Sequence, residues 1–99
     1  MGKKVKLGSI EILNEPFAKT TWYNANENIS TKKNGWRLPT MTELRMFNAI
    51  KDKLDIDSEK FYWSSEFEGE SGRCLCISDL SSAKVKLRCA FPYLLVRDV

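Results

Sequence analysis

Thr40-Met41-Thr42-Glu43, preceded by Pro39, fixes the start of a helix near the middle of the chain. The threonine hydroxyl can accept from the backbone N–H of Glu43, and the Glu43 carboxylate can reach back to the threonine N–H. Pro39 stands just outside, where its missing N–H costs nothing. Gly35 upstream stops whatever helix precedes it. This segment divides the chain. Structure before it must close by Gly35, and structure after it begins from a fixed helix. The pattern predicts that helix over residues 41–53, with Leu44, Phe47 and Leu54, together with Met41 or Ile50, on its buried face.

Upstream, Val5-Lys6-Leu7 and Ile10-Glu11-Ile12 flank Gly8-Ser9, a pair suited to a type II′ hairpin turn. That register sets Val5 opposite Ile12 and Lys6 opposite Glu11, an apolar face and a charge-paired face. Asn14-Glu15-Pro16 is expected to break the strand. Thr20 or Thr21 then caps a helix over residues 22–29, with Trp22, Ala25 and Ile29 on one stripe. Residues 30–34 are polar. Downstream, Phe61-Tyr62-Trp63 reads as a short strand and residues 66–72 as an acidic loop. Residues 74–79 and 84–89 read as strands around a turn centred on Ser81-Ser82. That register sets Cys74 opposite Cys89, Cys76 opposite Leu87, Ser78 opposite Val85 and Asp79 opposite Lys84. Residues 93–97 form the last strand. The order is an α+β layout with two short helices packed on an antiparallel sheet.

Ninety-nine residues amount to one domain, residues 1–99. Sixteen basic and 13 acidic residues leave a net charge of +3, too mild for a nucleic-acid footprint, so no nucleic-acid partner is expected. No apolar run approaches the roughly 20 residues of a membrane helix, so no membrane insertion is expected. The basic N-terminus lacks the apolar stretch of a signal peptide. The chain as given reads as cytoplasmic, or as an envelope or extracellular protein if a leader was removed. Gly2 is no myristoylation signal, because Lys6 stands where that motif needs Ser or Thr. Histidine is absent, which removes Ser-His-Asp and Cys-His catalysis and His-ligated zinc. No cofactor and no enzymatic activity are expected. The odd cysteine count, Cys74, Cys76 and Cys89, favours free thiols.

Gly35-Trp36-Arg37-Leu38-Pro39-Thr40 leading to Glu43-Leu44 resembles the signature of a bacterial family, the Lcl C-terminal or major paralogous domain. Thr21-Trp22-Tyr23-Asn24-Ala25 before it, then Tyr62-Trp63-Ser64-Ser65 and Val96-Arg97 after it, follow the same order. The resemblance implies a C-type-lectin-like fold related to the formylglycine-generating enzymes, with the N-terminal hairpin beside the C-terminal strand. It implies no reaction. The triplets Glu-Pro-Asn, Gln-Pro-Asp and Trp-Asn-Asp of calcium-dependent lectins are absent, which points to a calcium-independent module. The copper-binding cysteine pair of the enzymes has no assignable counterpart.

Each candidate group has a structural and a functional reading. Trp36 and Trp63 are sugar platforms or core residues. Arg37 binds an anion, or pairs with a carboxylate and loop carbonyls before Pro39. With Trp22, Pro39, Thr40 and Glu43, these are expected to hold the fold. Glu66, Glu68 and Glu70 are calcium ligands or a solvated tip. Lys84, Lys86 and Arg88 make a basic stripe, with Lys3, Lys4 and Lys6 nearby if the end strands join the sheet. The three cysteines are a metal site or buried thiols, with no metal expected. In an oxidising compartment the predicted register allows a Cys74–Cys89 disulfide. Tyr23, Phe91 and Tyr93 are left as aromatics near the sheet's end. A ligand surface is therefore expected over Glu66, Glu68, Glu70 and Arg73, continuing to Lys84, Lys86, Arg88 and Tyr93. The function that follows is a non-enzymatic binding module that displays loops, chiefly residues 66–73 and 80–83, on a C-type-lectin-like scaffold to a protein surface or a glycan. The alternative is an assembly component of a bacterial envelope or phage particle.

Overall fold

The N-terminal hairpin forms in the expected register. A computed structural model describes residues 4–30, 35–54 and 56–98, with backbone alone for 14–16 and 30. Strands β1 (Lys4–Leu7) and β2 (Ile10–Thr20) set Val5 opposite Ile12 and Lys6 opposite Glu11. Gly8 takes φ +63° while Ser9 does not, as a II′ turn requires. Asn14-Glu15-Pro16 does not end the strand. β2 continues through it, and the irregularity appears as a register shift between Leu13 and Phe17. Proline is tolerated at such a bulge because no ladder hydrogen bond is demanded there.

β6 (Phe91–Asp98) pairs with β2, setting Ile12 opposite Val96 and Leu13 opposite Leu95. The chain's two ends thus lie side by side in a sheet ordered β1-β2-β6. A second antiparallel sheet, ordered β3-β4-β5, contains β3 (Phe61–Glu68), β4 (Ser71–Cys76) and β5 (Ser82–Lys86).

Four consecutive residues of β6, Tyr93 to Val96, are at most 1% exposed. Side chains alternate along a strand, so both faces of β6 must be covered. Tyr93 and Leu95 enter a core with Trp22 and Ala25, from α1 (Trp22–Ser30), and with Trp63. Leu94 and Val96 enter another with Met41, Leu44 and Phe47, from α2 (Met41–Phe47). Tyr62 and Trp63 divide the same way. The expected α+β class holds. The strands, however, partition two cores with one helix in each, where the sequence suggested one sheet carrying both helices.

Thr21 Oγ1 accepts from Asn24 N at 3.2 Å and starts α1. The segment expected to follow this helix, residues 31–34, lies outside the described residues; Gly35 takes φ +79°. At α2 both halves of the capping box are present. The helix is shorter than expected. It gives way at Asn48 to a 3-10 segment, Asn48–Lys53, broken at Ile50 (φ −122°, ψ 18°). Asn48 donates to the carbonyls of Ile77 (2.8 Å) and Ser78 (3.2 Å), so its amide ties this end to the second sheet.

The register of β4 with β5 corrects the expected one. Cys74 lies opposite Ala83, not Cys89, and Arg73 lies opposite Lys84. The turn centres on Ser78-Asp79 instead of Ser81-Ser82. Leu80 takes φ 64°, its N–H donates to Cys76 O, and Cys76 N–H donates to Ser81 O. Asp79 Oδ1 caps the turn by accepting from Ser81 N at 2.9 Å. All three thiols are free.

Candidate functional site

The most recognisable residues direct their polar groups inward or to each other. Arg37 Nη1 and Nη2 meet both Glu43 carboxylate oxygens at 2.8 Å, and Nη2 also reaches Asp98 at 3.0 Å. Glu43 meanwhile accepts from Thr40 N at 2.9 Å. The hydrogen bonds from Arg37, more than its charge alone, hold the Glu43 carboxyl below the usual carboxylate range. The Arg37 backbone exchanges two 2.8 Å hydrogen bonds with Val96. Arg97 pairs with Glu11 at 2.7 Å and stands 4.8 Å over the Trp36 ring. One charged group therefore joins the helix start, the loop and the end of β6, and a second pair joins β2 to β6.

Trp63 is fully buried, donates to Thr20 O at 2.9 Å and meets Phe91 edge-on at 5.3 Å. Trp22 donates to Ser64 O at 3.0 Å. Ser64, fully buried, donates to Arg73 O and accepts from Glu66 N. Ser65 N–H reaches the carbonyl of Pro39, itself buried. Trp36 is only partly buried, at the margin of the core.

The expected ligand residues do not assemble as one loop surface. Residues 66–72 are not a loop: β3 runs to Glu68 and β4 begins at Ser71, leaving a turn at Gly69-Glu70. Glu66 accepts from Met41 N at 2.9 Å, at the start of α2. Glu68 pairs with Lys84 at 3.2 Å. Glu70 uses its carbonyl to hold Leu87 N. Among the described residues, no three His, Cys, Asp or Glu gather as metal ligands. Arg73, Lys84 and Lys86 are exposed and neighbours in register, and Arg88 is exposed beyond β5. Tyr93 is corrected: it is 1% exposed, stacked on Phe17 at 4.8 Å, and its hydroxyl accepts from Asn28 Nδ2 at 3.0 Å. It cannot touch a surface ligand. Tyr23 is exposed, as is Phe67, whose ring packs 4.7 Å from that of Trp22.

A concave site lies elsewhere, where the two sheets meet. It is an open cleft of about 720 Å³. Phe17, Ala18 and Lys19 at the far end of β2 form one wall, and Ala90, Phe91 and Pro92 at the start of β6 form another. Asp57, Lys60 and Phe61 close it from the approach to β3. Phe61 and Phe91 face each other tilted by 55° at 6.4 Å, and both remain partly exposed. Tyr62 at the base donates its hydroxyl to Asp57 O at 2.9 Å; burial, the larger effect, pushes that phenol up to about 12. Asp57 Oδ1 accepts from Glu59 N at 3.1 Å. Lys19 and Lys60 are exposed and have no ion-pair partner among the described residues.

Of these residues the sequence singled out only Phe91, as an aromatic near the sheet's end, and Tyr62, as part of the family motif. Positions 17, 61 and 91 are joined by nothing local. They meet because β2 pairs with β6 near Thr20 and Phe91 while β3 lies against β6. The only sequence signal is aromatics beside lysines, Phe17-Ala18-Lys19 and Lys60-Phe61.

No family model matches the sequence, and no curated protein is significantly similar to it. The fold does have a counterpart. The chain superposes on botrocetin, a snake protein of C-type-lectin-like fold, with a TM-score of 0.72, covering 100% of this chain and 98% of that one at 7% identity. The fold is C-type-lectin-like. Among the described residues no helix is long and apolar enough to cross a membrane.

Proposed function

We propose that this chain is a non-enzymatic, calcium-independent binding module, in the manner of the Lcl C-terminal family that its central motif resembles. Its ligand is a protein surface or a glycan, and it is held at the cleft between the two sheets. The observation that carries the reading is this open aromatic concavity with lysines at its rim. Three well-separated strands supply most of it, joined by Asp57, Lys60 and Ala90 from the connections next to them, so most of the wall is set by the fold. The motif residues are engaged in structural contacts, which leaves the cleft as the concave surface with unspent chemistry. The assembly alternative would use the free edges of β1 and β5. Those edges carry Lys4, Lys6, Lys84 and Lys86, the kind of charge that discourages strand addition.

The test is a glycan array and a protein-capture screen, run with calcium and with chelator, followed by variants. Binding that survives chelator, is lost in Lys60→Glu and is retained in Lys86→Glu supports the reading. Binding lost in Lys86→Glu but not in Lys60→Glu moves the site to the β4–β5 face. Concentration-dependent self-association with no ligand would favour assembly.

A further inference from the structure

Which of the two ligand classes the cleft fits follows from its lining. The inference rests on the reading of the cleft as the contact site. A neutral glycan needs several side-chain donors and acceptors arranged around it. The cleft offers no amide side chain, and its base phenol, Tyr62, is already bonded to Asp57 O. What it offers is an apolar interior of Phe17, Phe61, Phe91 and Pro92. Two exposed lysines without ion-pair partners among the described residues flank that interior. The single carboxylate, Asp57, is turned to its own backbone at Glu59 N.

The volume of about 720 Å³ would suit a small molecule, but the openness argues against one. A drug-sized ligand is held by burying most of its surface, and this site is open to solvent. A polypeptide compensates by running through an open groove and burying several residues in turn. We propose that the cleft binds an acidic peptide segment of a partner protein. One large apolar side chain seats on the exposed surface of the paired Phe61 and Phe91 rings, and flanking carboxylates meet Lys19 and Lys60.

The test uses a phage-displayed random dodecapeptide library panned on the whole chain. The strongest peptide is then synthesised as selected, and with its acidic residues replaced by serine or by lysine. The expected result is enrichment of Asp and Glu around an aromatic or large aliphatic residue. The acidic form should bind about 2- to 30-fold more tightly than the serine form, the range that two exposed ion pairs give. The advantage should shrink as salt rises. In the double variant Lys19→Glu/Lys60→Glu the preference should reverse toward the lysine form. Both positions are exposed, so this variant folds; Phe91→Ser, which loses packing on Trp63, is used only where circular dichroism shows it folded. Peptides whose binding needs Phe91 but ignores charge would overturn the acidic ligand and leave the cleft standing. Peptides indifferent to Phe91 and to both lysines, or no enriched peptide, would overturn both.

Discussion

Replacing Gly72 by alanine tests the packing beneath the second sheet most directly. Gly72 is buried in β4, and its backbone could accept any residue, since its φ is not positive. Space is the obstacle. A Cβ there would stand 2.7 Å from Leu87 Cδ2 and 3.0 Å from Trp63 Cζ3. Ordinary carbon contacts lie at about 3.5–4.0 Å, so the first overlap approaches 1 Å. Leu87 is 3% exposed with its N–H held by Glu70 O, and the Trp63 ring is pinned by its bond to Thr20 O. Neither can withdraw freely. Overpacking of this kind costs about 1–3 kcal/mol. The loss of glycine freedom in the unfolded chain returns about 0.4–1 kcal/mol. The net expectation is a destabilisation of about 1–2 kcal/mol.

Urea unfolding followed by circular dichroism gives the value, with an unchanged m-value as the sign that only stability moved. The cause is isolated by a cycle with Leu87→Ala. If the clash is with Leu87, removing that side chain relieves it, and the double variant is more stable than additivity predicts by about 1 kcal/mol. Gly69→Ala is the contrast. It has open space but φ +60°, so it should cost about 1 kcal/mol through backbone strain and show no coupling to Leu87. A neutral or stabilising Gly72→Ala, or strict additivity with Leu87→Ala, would refute the reasoning.

Stability should fall with acid through Glu43. Its folded pKa lies below its unfolded value, so its contribution is complete above the ordinary carboxylate range and is lost as pH drops through the depressed folded pKa. Glu43→Gln should flatten that acid limb of a pH–Tm profile, and an unchanged limb would remove Glu43 as its source. Thiol titration should find three reactive groups after unfolding; in the native state Cys89, partly exposed, should label first. Cys74, whose thiol burial pushes up to about 12, should label only on opening, so early modification of Cys74 contradicts the packing. Trp36→Ala should cost about 2 kcal/mol, less than the 3–5 of a fully buried aromatic, because Trp36 is only partly buried beneath Arg97. A loss above about 4 kcal/mol in chemical denaturation would return Trp36 to the core.

Local signals were legible where the physics is local. Gly8-Ser9 fixed its hairpin because a two-residue turn sets the register on both sides. The Thr40–Glu43 box set the α2 start because both partners lie within one turn. The β4–β5 register was not legible. Ser81-Ser82 looks like a turn, yet Leu80 takes the left-handed conformation that its residue type disfavours, and nearby hydrogen bonds enforce it. The two-sided burial of β6 was written in Tyr93-Leu94-Leu95-Val96, but a four-residue apolar run does not say which helix covers which face. Tyr93 illustrates the cost: read alone it is a polar-tipped surface aromatic, and only the pairing with Phe17 shows it interior.

The cleft could not be read from the sequence for the same reason that the motif could. Gly35 to Glu43 and residues 62–65 stand out because their contacts demand particular side chains. Arg37 reaches both Glu43 oxygens and Asp98 with one guanidinium while its backbone joins β6. Such demands leave little freedom for a ligand. The cleft is built from phenylalanines, alanines and lysines, whose residue types carry no positional signature, at strand ends that fold into one wall only after both sheets have formed. If the cleft is the contact site as proposed, exchange of the exposed Lys19 or Lys60 would change its partner while the Arg37 network keeps the architecture intact. If so, charge reversal at Lys19 and Lys60 should alter peptide preference without moving the unfolding midpoint, whereas Arg37→Lys, which forfeits the paired contact with Glu43, should lower stability by about 1–2 kcal/mol and leave the preference unchanged.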